Sequence, residues 1–90
     1  MTDADLTTLL DPILRKWLAP HGLRFVEVRS GSDHDGEPSI FIDARYSQRD
    51  DEIDPDAVLG AIGEMQAALA EKEDFRFPYL RHSVPGAAAA

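Results

Sequence analysis

The densest run of side chains able to do chemistry is Asp33-His34-Asp35-Gly36-Glu37. Carboxylates beside a histidine are material for a hard-cation site, because Ca2+ and Mg2+ take several oxygen ligands at fixed geometry. The spacing does not serve that use. An EF-hand loop needs acids at its first, third and fifth positions, glycine at the sixth and glutamate at the twelfth. Here the glycine comes two residues too early. The run reads as a polar turn in which Asp and Gly supply the backbone conformations. No metal or cofactor is expected there, and a small ligand- or metal-binding protein using the loop 31–38 is the alternative. The histidines His21, His34 and His82 lie in three separate segments, none with a metal-helix spacing. No nucleophile elbow or Gly-rich phosphate loop is present. The paired carboxylates Asp50-Asp51-Glu52 lie in a run that should be solvated and ionised rather than tuned for acid–base work. The expectation is a protein that is not an enzyme and has no catalytic residues.

A second cluster points to binding. In Phe75-Arg76-Phe77-Pro78-Tyr79-Leu80-Arg81-His82-Ser83-Val84, aromatic and arginine residues interleave near the end of an acidic chain. Such residues are enriched at interface hot spots, and aromatics between cations can stack bases. Tyr79, Arg81, His82 and Arg76 are therefore candidate partner-binding residues, together with Arg45 in an upstream strand and the acidic pair Asp50 and Asp51. The plainer alternative has Phe75 and Phe77 closing the core and the arginines solvated.

Those residues must be positioned by a chain of 90 residues, enough for one domain with a small core. A hydrophobic fraction of 43% with 29% charged residues is ordinary for a globular protein. The absence of cysteine excludes disulfides and thiolate metal sites. No stretch approaches the roughly 18 apolar residues that a membrane span requires. The start, Met-Thr-Asp-Ala-Asp, has no basic region of a signal peptide. A cytoplasmic location is expected. The net charge of −8 disfavours duplex nucleic acid and anionic membranes, whose binding rests on Lys and Arg. Its natural complement is a basic surface on a protein or ribonucleoprotein.

Helical periodicity over Leu6, Leu9, Leu10, Ile13, Leu14, Trp17 and Leu18 predicts an opening helix, capped by Thr2 or Asp3. Trp17 should then be buried between this helix and a sheet. Pro12 should kink the helix near Thr8–Asp11, or else Asp11-Pro12 starts a second one. Leu23–Arg29 and Ile40–Tyr46 read as an antiparallel strand pair, with Phe41, Asp43 and Arg45 on the face opposite Ile40, Ile42, Ala44 and Tyr46. Asp54-Pro55 starts a second helix running to about Glu71, with Val58, Ile62, Met65 and Leu69 inward. Gly60, Gly63 and Ala67 form a small-residue stripe for close packing. Phe75–Val84 reads as an edge strand or an irregular segment because Pro78 cannot donate to a ladder. The expected fold is α+β: a single domain over residues 1–86 in α-β-β-α-β order, with two helices on one face of a three-stranded sheet. Residues 87–90 are expected to be a disordered tail.

Several of these stretches resemble the N-terminal domain of the ribosome maturation factor RimP family, which has the same element order. The likeness lies in Leu9-Leu10-Asp11-Pro12-Ile13-Leu14, Gly22-Leu23-Arg24-Phe25-Val26-Glu27-Val28, Ile40-Phe41-Ile42-Asp43 and Ile53-Asp54-Pro55-Asp56. Tyr79-Leu80-Arg81-His82-Ser83-Val84-Pro85-Gly86 echoes a Tyr-x-Leu-Glu-Val-Ser-Ser-Pro-Gly segment without its Leu-Glu-Val core. Lys16-Trp17-Leu18-Ala19-Pro20 is an addition to the family's first helix, and the family's C-terminal domain has no counterpart in these residues. The resemblance implies a ribosome-assembly domain. The residues themselves imply a small acidic interaction module, of antitoxin, inhibitor or adaptor type, with self-pairing through its edge strand as a further expectation.

Overall fold

The computed structural model describes residues 1–47 and 54–83. Asp50, Asp51, Val84 and the expected tail lie outside the described residues. Helix α1 spans Asp3–Leu18 and is followed by a single 3-10 turn, Ala19–His21. Strands β1 (Leu23–Ser32) and β2 (Pro38–Tyr46), helix α2 (Pro55–Glu71) and strand β3 (Phe77–Ser83) complete the order. The architecture is α+β, with both helices on one face of a three-stranded sheet in the order β1-β2-β3.

The start of α1 is closed by a capping box. Thr2 Oγ1 accepts from Asp5 N at 3.1 Å, and Asp5 Oδ2 accepts from Thr2 N at 3.0 Å. Pro12 lies inside one continuous helix, so the second-helix alternative does not occur. It is tolerated because its ring is exposed while Leu6, Leu10, Leu14 and Leu18, one face of the helix, are fully buried.

The hairpin is longer than the sequence pattern suggests, with its register running from Leu23↔Tyr46 to Ser32↔Pro38. The extension comes from Asp33. Its Oδ1 accepts from the backbone N–H of Asp35 at 2.9 Å and Glu37 at 3.0 Å, and Gly36 adopts φ +83° to close the turn. The side chain thus makes a tight connection from a run that reads as a long loop.

Strand β3 pairs parallel with β2, from Ser39↔Phe77 to Arg45↔Ser83. Parallel neighbours need a crossover, and α2 supplies it. Its N-cap is Asp54, whose Oδ1 accepts from Asp56 N at 3.0 Å. Strand β3 starts later than expected because Phe75 and Arg76 belong to the turn after α2. Phe75 stands 81% exposed, and neither it nor Phe77 closes the core. Pro78 does: its ring is fully buried on the helix side of an edge strand.

Two packing expectations need correction. The inward positions of α2 are Ala57, Ala61, Met65 and Leu69, while Val58 and Ile62 are half-buried on its flank. Alanines at the contact let α2 lie close to the layer beneath, which turns the branched residues aside. Trp17 packs against α2 rather than the sheet and is only half-buried. Its Nε1 donates to Glu64 Oε1 at 3.0 Å, the same oxygen that the Lys16 ammonium pairs with. Its ring occupies the space left by Gly60, where a Cβ would meet ring carbons at 2.5–2.8 Å. Gly63, one turn on, has no atom within 4 Å of a built Cβ.

The two glycines give a paired test. Gly63→Ala should raise stability by about 0.5–1 kcal/mol through reduced backbone entropy in the unfolded chain. Gly60→Ala should lower it by about 1–3 kcal/mol, because the Trp17 ring must be displaced. Chemical denaturation of the two variants checks both signs.

Candidate interaction surface

The helices cover one face of the sheet and leave the other open. Alternation along β2 sends Ile40, Ile42, Ala44 and Tyr46 to the helices, and Phe41, Asp43 and Arg45 to the open side. The registers assemble that side into rows: Gly31–Ser39–Phe77, Arg29–Phe41–Tyr79, Glu27–Asp43–Arg81 and Phe25–Arg45–Ser83. An aromatic and arginine surface results.

The side chains in these rows are coupled. Phe41 and Tyr79 stack with centroids 5.7 Å apart, and the Phe77 and Tyr79 rings meet edge-on at 4.8 Å. The Arg29 guanidinium lies over Phe41 at 5.5 Å and that of Arg45 over Phe25 at 5.0 Å. Gly31 is required here, since a Cβ would reach the Phe41 ring at 2.9 Å. Asp43 sits at the centre of the face. Burial opposes its ionisation, but the Ser83 hydroxyl at 2.8 Å and Arg45 Nε at 3.2 Å hold its carboxyl below the usual range. Arg45 also reaches Glu27 at 3.8 Å. A groove of about 320 Å3 runs between Arg29, Phe41, Asp43, Tyr79 and Arg81.

Of the residues expected to bind a partner, Tyr79, Arg81 and Arg45 share this face. His82 does not. It points to the helix side, half-buried, with Nδ1 2.7 Å from the Tyr46 hydroxyl. Arg76 lies before the strand, locked to Asp74 through Nε at 2.9 Å and Nη2 at 2.5 Å. This fork also holds the Asp74 carboxyl below its usual range. Phe25, Arg29, Phe41 and Phe77 belong to the surface but were not among the candidates. The alternation of Phe25, Glu27 and Arg29 along β1 carried that signal, yet their neighbours follow only from the register.

The histidines remain apart, in the 3-10 turn, the hairpin tip and β3. Among the described residues no three His, Asp or Glu side chains gather in a metal-holding group. Asp33, the centre of the ligand-rich run, is turned onto its own loop. Glu37 N–H is the main influence keeping its carboxyl low, and Oδ2 takes the Tyr79 hydroxyl at 3.3 Å. No helix among the described residues is long and apolar enough to cross a membrane.

Burial holds His82 below its ordinary 6.5. The unfolded chain therefore takes up a proton at pH values where the folded one does not. The associated stability is complete above about pH 6.5 and is lost as pH falls from there through the depressed folded value. Thermal melts should show Tm falling over that window, and His82→Gln should flatten the fall. Parallel curves for the two proteins would assign it elsewhere. The lowered carboxylates Asp43 and Asp74 act in a separate window, losing their contribution as pH falls below 3.8.

No known protein family, characterised protein or solved structure matches the chain.

Proposed function

We propose that the chain is a non-enzymatic interaction module that binds a partner protein through the open face of its sheet and the adjoining edge of β3. One observation carries this reading. An uncovered face holds the row Arg29–Phe41–Tyr79, with Phe77 44% and Tyr79 41% exposed beside a strand that has no neighbour on its outer side among the described residues. Clustered exposed aromatics flanked by arginine have the composition of interface hot spots. The net charge of −8 makes a partner with an overall basic surface the natural long-range match, because whole-molecule charge governs steering. At contact distance the local charge of the face decides. The ribosome-assembly reading shares the same element order and differs in its partner.

Affinity capture with the intact chain, followed by titration of the recovered partner, tests the proposal. Tyr79→Ala and Arg81→Ala should each weaken binding roughly tenfold, as loss of an interface anchor does. Arg81 is exposed and its loss should change melting little. Tyr79→Ala also loses ring contacts with Phe41 and Phe77 of about 1 kcal/mol, so binding is compared where both variants are folded. Unchanged affinity in both variants would overturn the reading. Recovery of whole ribosomal subunits, rather than one basic protein, would favour ribosome assembly.

A further inference from the structure

We propose that β3 takes up an extended acidic segment of the partner protein as an added strand, with a carboxylate set against Arg81 and an apolar side chain against Tyr79. This deepens the protein-binding reading above and rests on it.

The two edges of the sheet are not equivalent. Along β1, two backbone groups are bonded by side chains from α1. Asp3 Oδ1 accepts from Ser30 N at 3.0 Å, and Arg15 Nη1 donates to the Arg24 carbonyl at 3.2 Å. Occupied or covered edges resist strand addition. Among the described residues, no side chain bonds to the backbone of β3 and no strand lies beyond it. Pro78 has no N–H, so edge donation by alternate residues of β3 is free of proline only from Tyr79 onward. That places an incoming strand along Tyr79–Ser83, the stretch that carries Tyr79 and Arg81.

Charge selects the occupant. Arg81 stands in register with Asp43, but that carboxylate is engaged by Ser83 and Arg45. Arg81 helps at longer range to keep Asp43 ionised but forms no ion pair within 4 Å among the described residues. Strand β3, Phe77–Ser83, contains arginine and histidine but no carboxylate, so a second copy paired edge to edge offers Arg81 no counter-charge. Single-stranded nucleic acid fits less well. The rings that would stack bases are already stacked on each other and on arginine. A polypeptide strand satisfies the backbone edge and Arg81 together. Directly opposed side chains on one face interact, and those projecting to that face are two residues apart. The segment should therefore read apolar-x-acidic if parallel to β3, and acidic-x-apolar if antiparallel.

Selection of a random displayed-peptide library on the whole protein tests this, with amide chemical-shift mapping of the bound site. The expected result is enrichment of Asp or Glu two residues from a bulky apolar side chain, with shifts along β3 and the open face of β2. Arg81→Glu should weaken selected peptides about tenfold, by replacing an attractive cross-strand pair with a repulsive one. A peptide with Lys in place of its acid should recover binding to that variant, and Arg81→Lys should retain most affinity. The proposal is overturned by selection without an acidic preference, by a failure to select any peptide, or by shifts along β1 or the helices. It is equally overturned if Arg81→Glu binds unchanged, if β3 shifts arise from concentration-dependent self-association, or if an oligouridylate probe produces them better than peptide. Loss of acidic preference with Tyr79-dependent partner capture intact removes this inference alone. Capture indifferent to both Tyr79 and Arg81 removes the protein-binding reading and this inference with it.

Discussion

The structure depends on the two-residue alternation of β2. This strand is central, with partners on both sides, so each of its faces organises an entire side of the molecule. One face is Ile40, Ile42, Ala44 and Tyr46, all buried under the helices. The other is Phe41, Asp43 and Arg45, which line up with residues of β1 and β3. A slip of one residue in register would exchange these sets, placing a carboxylate and a guanidinium in the core and a row of aliphatic groups in water. The loss of apolar burial and the desolvation of two charges both oppose the slip. Asp33 reinforces the register by fixing the length of the hairpin turn.

Much of this was legible in the chain. The period of α1, the Asp54-Pro55 start of α2 and the alternation of β2 are local signals, and each element lies where they indicated. The signals failed where a position is decided by a distant neighbour. Trp17 lies on the apolar stripe of α1, but Gly60, far away in sequence, opens a slot for it and Glu64 accepts its N–H. Val58 and Ile62 look like core residues by hydrophobicity, but alanine fits the close approach of α2 and takes the inward positions. Phe75 and Phe77 look like core for the same reason, while Pro78, next after Phe77, is the buried residue. The candidate surface was legible in part. Composition identified Tyr79 and Arg81, and alternation identified Arg45. The same alternation placed Phe41 beside Arg45, Arg29 joins them through pairing across strands, and His82 leaves them because its position in β3 has the opposite parity.

The charge distribution follows from the same geometry. Many acidic side chains are engaged in backbone work: Asp3, Asp5, Asp33 and Asp54 each accept from main-chain N–H groups at a strand edge, a helix start or a turn. Their negative charge is a by-product of shaping a short chain that has few residues to spare for long connections. The arginines of the open face are organised differently, by rings and by a central carboxylate. Arg29, Arg45 and Arg81 on the open face are balanced by Glu27, Asp43 and the adjoining Asp33, so the face lacks the strong acidity of the whole chain. A partner responds to the net charge at a distance and to individual side chains on contact.

The inequality of the two sheet edges limits stoichiometry. A sheet that can be extended on both sides is a monomer unit for a fibre, since each added copy presents the edge that the next one needs. Here Asp3 and Arg15 of α1 bond to two backbone groups of β1, at Ser30 and Arg24. These bonds disfavour strand addition at β1 and leave the β3 edge as the more accessible one. The geometry therefore opposes open-ended polymerisation of the chain through its own backbone, despite its open aromatic face.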